Sequence, residues 1–363
     1  MLLKGNNVPT RDNTSGDKTP AAALDVGYKT DKGAERLVGF EIEYAGVPLK
    51  RAADIIQSLY GGSVKQHSKA EWSVEDTRFG AFRLEIDAEP VKRFVSETAE
   101  RAASLEGGID DLYRKTLDAA DDIVTAISEK VAPFEIIAPP VSIKDIDALE
   151  DLRRALFHEN AKGTRSSFHH AFGVHINPDA VSLKASSLLA HMQAFTLLFP
   201  LLKEAHDVDF SRRIAPFIEP YSDEYAELIL ADDYAPDLEA LIRDYHTHNP
   251  SRNRALDMLP VFTHLDEDLV RSLYGEEEKI NARPTYHYRL PNCELSRSDW
   301  TLTQEWHRWC VLEDLARDKD KLARLTKAWR DRPTDWLSQM AGGGLAWQRV
   351  LRDRLGNLGE AYG

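Results

Sequence analysis

Cysteine is scarce in this chain, with two residues, Cys293 and Cys310, among 363. Their spacing makes neither a CxxC pair nor a zinc knuckle, so a disulfide framework is not indicated and a reducing cytoplasm is the expected location. Positive charge is also in deficit: 46 Lys and Arg stand against 60 Asp and Glu, for a formal charge of −14. Binding to a polyphosphate backbone depends on clustered cations that release counterions, so nucleic acid is not an expected partner. Long apolar runs are lacking. The longest, around Ala194 to Leu202, contains Pro200 and falls well short of the roughly 20 residues that a spanning helix needs. Met1-Leu2-Leu3-Lys4-Gly5 runs straight into polar residues without the apolar stretch of a signal peptide. No membrane association is expected. There is no GxxxxGK[ST] loop, no GxGxxG after a strand, no GxSxG elbow and no HExxH pair, which argues against the corresponding nucleotide, hydrolase and zinc-protease mechanisms.

What is present is an ordinary globular composition, 42% hydrophobic and 29% charged, on a chain long enough for a large core. Residues 1–34 are polar and aperiodic and read as a mobile arm. Residues 35–298 read as one large α+β domain, and 299–363 as a helical extension packed on it. Pro48, the apolar set Ala52, Ile55, Ile56 and Leu59, and the stop Gly61-Gly62 predict a short amphipathic helix. Phe82, Leu84, Ile86 and Ala88 alternate with charged residues as a half-buried strand does. Helical spacing recurs over 109–131, over 146–159, and over 182–206 with a break or kink at Pro200. Phe134 to Ala138 reads as a strand closed by Pro139-Pro140. Trp306, Trp309, Leu312 and Leu315 form one stripe of a late helix.

Three β-type segments carry ionisable residues on one side. In Val38 to Tyr44, strand period two puts Glu41 and Glu43 on one face and Phe40, Ile42 and Tyr44 on the other. In Phe168 to Asn177, His169, Gly173, His175 and Asn177 share a face. In Thr285 to Leu290, His287 and Arg289 face away from Tyr286, Tyr288 and Leu290. Such strands predict a mostly antiparallel sheet with helices on its apolar side and an open polar face. Carboxylates two apart on a strand suit Mg²⁺, which prefers oxygen ligands. Glu85 and Glu135 are two further strand carboxylates able to complete the cluster. Arg289, Arg252, Arg254 and Arg283 are candidates for binding phosphate or a substrate carboxylate, one of the last three being structural.

Gly-Phe-Glu-Ile-Glu-Tyr, Glu-Ile-Ile-Ala-Pro-Pro, Phe-Gly-Val-His-Ile-Asn-Pro and His-Tyr-Arg-Leu-Pro occur in this order. Together they resemble the amidoligase family, related in fold to glutamine synthetase and glutamate-cysteine ligase, over roughly residues 36–295. The resemblance implies a glutamine synthetase-like catalytic domain with a curved, mostly antiparallel sheet. It also implies a ligase that uses ATP and Mg²⁺, or Mn²⁺, to join a carboxylate to an amine through an acyl phosphate. By motif position, Glu41 and Glu43 match the metal-ligand glutamates, His175 a metal or nucleotide-phosphate contact, and Arg289 the arginine that stabilises the transferring phosphoryl group. Either Glu85 or Glu135 matches the remaining carboxylate. His287 stands where relatives often have Glu, which costs a metal site one negative charge and adds a nitrogen ligand.

The expected partners are a carboxylate and an amine on an amino acid, peptide or small metabolite, with a homo-oligomer open. Two other readings of the same residues are a non-catalytic nucleotide- or metal-binding module, and a metallohydrolase built on His169, His175 and His287.

Overall fold

The computed structural model describes residues 27–86, 134–164, 172–208, 218–275, 280–332 and 343–355. The helix expected over 109–131, the strand residue Ala88 and His169 lie outside the described residues.

The described chain is mixed α/β, with an open, curved antiparallel sheet. The strands are β1 (Leu37–Tyr44), β2 (Ser63–Gln66), β3 (Glu71–Thr77), β4 (Gly80–Ile86), β5 (Phe134–Ile137), β6 (Val141–Ser142), β7 (Val174–Pro178), β8 (Leu256–Asp257) and β9 (His287–Tyr288). They run in the order β2-β3-β4-β5-β1-β7-β9-β8, with β6 pairing the start of β1. Ten α-helices are described. These are α1 (Leu49–Tyr60), α2 (Ile146–His158), α3 (Ala185–Ala205), α4 (Asp223–Ile229), α5 (Leu238–His248), α6 (Leu259–Leu265), α7 (Glu267–Tyr274), α8 (Leu302–Arg317), α9 (Lys319–Arg330) and α10 (Gly343–Leu355).

Period-two alternation decides which way the sheet faces. Val38, Phe40, Ile42 and Tyr44 of β1 are buried, as are Phe82 and Leu84 of β4, Ile136 of β5 and Val174 and Ile176 of β7. This apolar face is covered by helices. Phe195 of α3 and Trp309 of α8 set their rings against Tyr288 of β9. Trp306, Trp309, Leu312 and Leu315 are all buried, so the late aromatic stripe is a packing stripe. A capping box at Thr301 and Gln304 starts α8 by satisfying N-terminal N–H groups that the helix itself leaves unpaired.

Helix α1 forms where its pattern places it, between Pro48 and Gly61. Gly62 has φ +88°, and a Cβ there would stand 2.2 Å from the Glu75 carbonyl oxygen, so the turn into β2 admits glycine alone. Leu59 is a correction to the expected apolar face: it is exposed, and Tyr60 takes the buried position. A hydrogen bond from its hydroxyl to the Ala148 carbonyl holds Tyr60 there.

The last strand is also shorter than the expected Thr285 to Leu290. Regular pairing is confined to His287 and Tyr288, and Thr285 makes an isolated bridge with Asp179. Pro284 and Pro291, which lack an N–H, bracket the segment. Helix α3 runs unbroken from Ala185 to Ala205 with Pro200 inside it, so of the expected break or kink the break does not occur. It is also more apolar than the Ala194 to Leu202 run suggested. By length and composition alone it is long and apolar enough to cross a membrane. Here Leu188, Met192, Phe195, Leu198 and Leu202 are buried in the core, and Trp347 of α10 donates its indole N–H to the Leu197 carbonyl.

Arg36, immediately before β1, is buried against Glu313 of α8. Its guanidinium also donates to the carbonyls of Gly27 and Asp179, so the first strand and α8 meet through a fully partnered buried ion pair.

Candidate active site

The polar face of the sheet gathers its carboxylates through strand register. Glu43 of β1 is the direct cross-strand partner of Glu135 of β5, and Glu135 is in turn the partner of Glu85 of β4. Like charges placed directly opposite one another disfavour the sheet unless something positive joins them. Two residues back along β1, Glu41 pairs with His175 of β7. The register between β7 and β9 sets Ile176 against Tyr288, which brings His287 into the same neighbourhood. Asp257 of β8 is the partner of His287.

Two sets of ligand atoms result, each within 4.8 Å, and they share His175. One is Glu41, His175 and His287; the other is Glu43, Glu135 and His175. His175 Nδ1 lies 2.9 Å from Glu41 Oε2, and its Nε2 lies 3.3 Å from Glu43 Oε1. Burial holds His175 below the ordinary imidazole range, toward its neutral form, although Glu41 and Glu43 favour the charged one. A neutral imidazole carries one N–H. It can serve one of the two glutamates, and at the other a ring lone pair faces a carboxylate oxygen. A cation held there would resolve that opposition.

The remaining oxygens of these glutamates are held in place. Asn177 Nδ2 donates to Glu41 Oε1 over 3.0 Å, and the Gly173 N–H donates to Glu43 Oε2 over 2.6 Å. Burial opposes ionisation of Glu41, but His287 and His175 outweigh it and keep the carboxyl well below the usual carboxylate range. Arg283 Nη2 stands 3.6 Å from Glu41 Oε1.

Beyond His287 the charge reverses. Asp257 is fully buried. Its Oδ2 accepts from Arg252 Nε and Nη2 at 3.1 and 3.0 Å and from Arg289 Nη2 at 3.0 Å. Burial alone would raise the Asp257 pKa. Arg252, His287 and Arg289 together pull it far below the carboxylate range instead. The site therefore has an acidic half on β1 and β5 and a basic half built on Asp257, with His287 between them.

The structure thus brings together Glu41, Glu43, Glu135, His175, His287 and Arg283, and it joins Arg252 and Arg289 to them through Asp257. Two candidates are placed elsewhere. Glu85, beside Glu135 in the ladder, lies outside both ligand sets, with Arg83 Nη2 4.0 Å from its carboxylate. Arg254 donates to Asn249 Oδ1 and Glu219 Oε2, and it ties the segment before β8 to α5. Sequence reasoning missed Asp257. The run Arg-Asn-Arg-Ala-Leu-Asp drew attention to its arginines, while the carboxylate that fixes one of them ends a two-residue strand with no periodicity to reveal it.

The donor set suits divalent cations. Glu43 and Glu135 with one imidazole match Mg²⁺ or Mn²⁺, whereas two imidazoles with Glu41 favour a softer ion such as Mn²⁺.

A family model described as "Putative amidoligase enzyme" matches residues 34–311. The match starts before β1, ends inside α8 and takes in every residue of the site. Neither a curated protein nor a solved structure matches the chain.

Proposed function

The chain belongs to this amidoligase family and so to a group of ligase-type enzymes, and on that premise we propose that it is an ATP- and Mg²⁺-dependent carboxylate–amine ligase with a glutamine synthetase-like catalytic fold. A substrate carboxylate oxygen attacks the γ-phosphorus and ADP leaves, giving an acyl phosphate. The amine nitrogen then forms the amide bond, losing its proton as inorganic phosphate departs. Divalent ions, when bound, screen the phosphate charge and orient the nucleotide.

The observation that carries this reading is the pairing of two ligand sets, joined at His175, with a group of arginines on the same sheet face. Glu41, Glu43, Glu135, His175 and His287 hold the cations. Arg289 stabilises the transferring phosphoryl group, and Arg252 or Arg283 takes the substrate carboxylate, since bidentate guanidinium contacts suit both anions. Small substrates fit the chain's acidic balance, and we place the protein in the cytoplasm.

Calorimetric titration with a non-hydrolysable ATP analogue, with and without Mg²⁺, tests the proposal. Mg²⁺-dependent binding that a folded Glu41→Gln/Glu43→Gln variant loses supports it, and wild-type protein that binds no nucleotide sinks it. The two imidazoles beside Glu41 favour one other reading, a metallohydrolase centre. That reading predicts a tightly held transition metal and no need for ATP, and metal analysis of the purified protein separates the two.

A further inference from the structure

His287 is buried, and neither of its ring nitrogens makes a hydrogen bond. Nε2 lies 3.5 Å from Glu41 Oε2, and Nδ1 lies 3.5 Å from Asp257 Oδ2. The ring therefore stands between two carboxylates of different character. Glu41 shares its ligand set with His175. Asp257 is not free to turn. Its Oδ2 is fixed by Arg252 and Arg289, and its Oδ1 accepts the Leu259 N–H over 2.9 Å.

As a cation ligand the His287 imidazole is neutral, with one proton to place, and the two tautomers are not equivalent here. With the proton on Nδ1, the ring donates toward Asp257 and leaves the Nε2 lone pair for a cation shared with Glu41 and His175. With the proton on Nε2, a lone pair would face a buried carboxylate that cannot move. We infer that Asp257 is a positioning residue that fixes His287 as the Nδ1–H tautomer and so presents Nε2 as a cation ligand.

This inference rests on reading Glu41, His175 and His287 as a cation site. Imidazoles bound to metals generally donate their second N–H to a carboxylate or carbonyl, which sets the tautomer and raises ligand basicity. Removing such a partner costs about 10–100-fold in metal affinity. Asp257 also ties Arg252 and Arg289 beside the same ring, so one side chain sets both the ligating and the cationic halves of the site.

Two measurements on the full chain test this. The first is ¹⁵N NMR of the cation-free protein with labelled histidine, the His287 signals being identified by their loss in His287→Gln. The Nδ1–H tautomer is expected, and the Nε2–H tautomer overturns the inference. The second follows Mn²⁺ binding by electron paramagnetic resonance in wild type, Asp257→Asn, His287→Gln and the double variant. Asp257→Asn should weaken one Mn²⁺ site about 10–100-fold, and adding it to His287→Gln should leave the remaining Mn²⁺ binding unchanged. An unaltered affinity in Asp257→Asn, or a further loss in the double variant, overturns it. Wild-type protein that binds no Mn²⁺ contradicts the cation reading itself, and the tautomer of the cation-free protein then decides the role of Asp257 alone.

Discussion

Glu43 and Glu135 face each other as direct cross-strand partners on the polar side of the sheet. Two carboxylates in that relation repel, and the pair makes sense as two members of a three-residue ligand set that His175 completes. Directly opposed like charges cost a sheet about 0.2–1 kcal/mol, so function and stability oppose each other at this position.

Glu135→Gln is therefore expected to melt at the same or a higher temperature than wild type when no divalent cation is present. It should gain much less from added Mn²⁺, because stabilisation by a ligand follows its affinity for the folded state. Glu85→Gln should keep the full Mn²⁺-dependent gain, since Glu85 lies outside both ligand sets. Thermal melts of the two variants with and without Mn²⁺ decide between the carboxylates.

Arg254 and Arg289 differ in role: one braces α5, the other grips Asp257. Arg254→Ala removes charge-assisted bonds to the buried Asn249 and to Glu219, and should cost about 1–3 kcal/mol of stability. Its affinity for the ATP analogue should stay within about twofold of wild type, a difference of roughly 0.4 kcal/mol at most. Arg289→Ala should weaken nucleotide binding or slow phosphate release by more than tenfold, on the order of 1.4 kcal/mol. Urea denaturation and calorimetry on both variants check the division.

A second buried acid–base pair sits on the helix side of β9. Glu305 lies 2.5 Å from His206 Nδ1, and His206 Nε2 lies 2.7 Å from the Tyr288 hydroxyl. Burial opposes ionisation of Glu305, but His206 and Arg308 outweigh it and hold its pKa below the ordinary 4.5. A carboxyl with a depressed folded pKa adds stability above its unfolded value and loses it as pH falls through the folded value. Glu305→Gln is thus expected to cost about 3–5 kcal/mol at neutral pH, as breaking a buried pair does. The gap to wild type should narrow as the pH falls below about 4, within reach of the ordinary glutamate range. Urea denaturation across that range measures it.

Much of this site is legible along single strands. Period two alone places Glu41 and Glu43 together, turns His175 the same way as Asn177, and separates His287 and Arg289 from Tyr288. What a strand pattern does not carry is register between strands. Glu135 joins Glu43 because β5 lies beside β1 across a long intervening stretch of chain, so sequence spacing could not choose it over Glu85.

Asp257 was hidden for a related reason. A two-residue strand has no alternation to read, and the residue's meaning comes wholly from Arg252, Arg289 and His287 meeting around it. Helix α3 misled in another way. The helix expected over 182–206 forms over Ala185–Ala205, but counting an uninterrupted apolar run understated how apolar it is, because its polar residues are scattered along it; around Pro200, Leu197, Leu198, Leu201 and Leu202 are buried in the core.

The most direct test of the central claim is anomalous diffraction from crystals grown with Mn²⁺ and a non-hydrolysable ATP analogue. The account predicts a Mn²⁺ peak bound by Glu43, Glu135 and His175, with Arg289 directed at the nucleotide phosphates. Nucleotide bound away from this sheet face, or Mn²⁺ held by residues other than these, would contradict it.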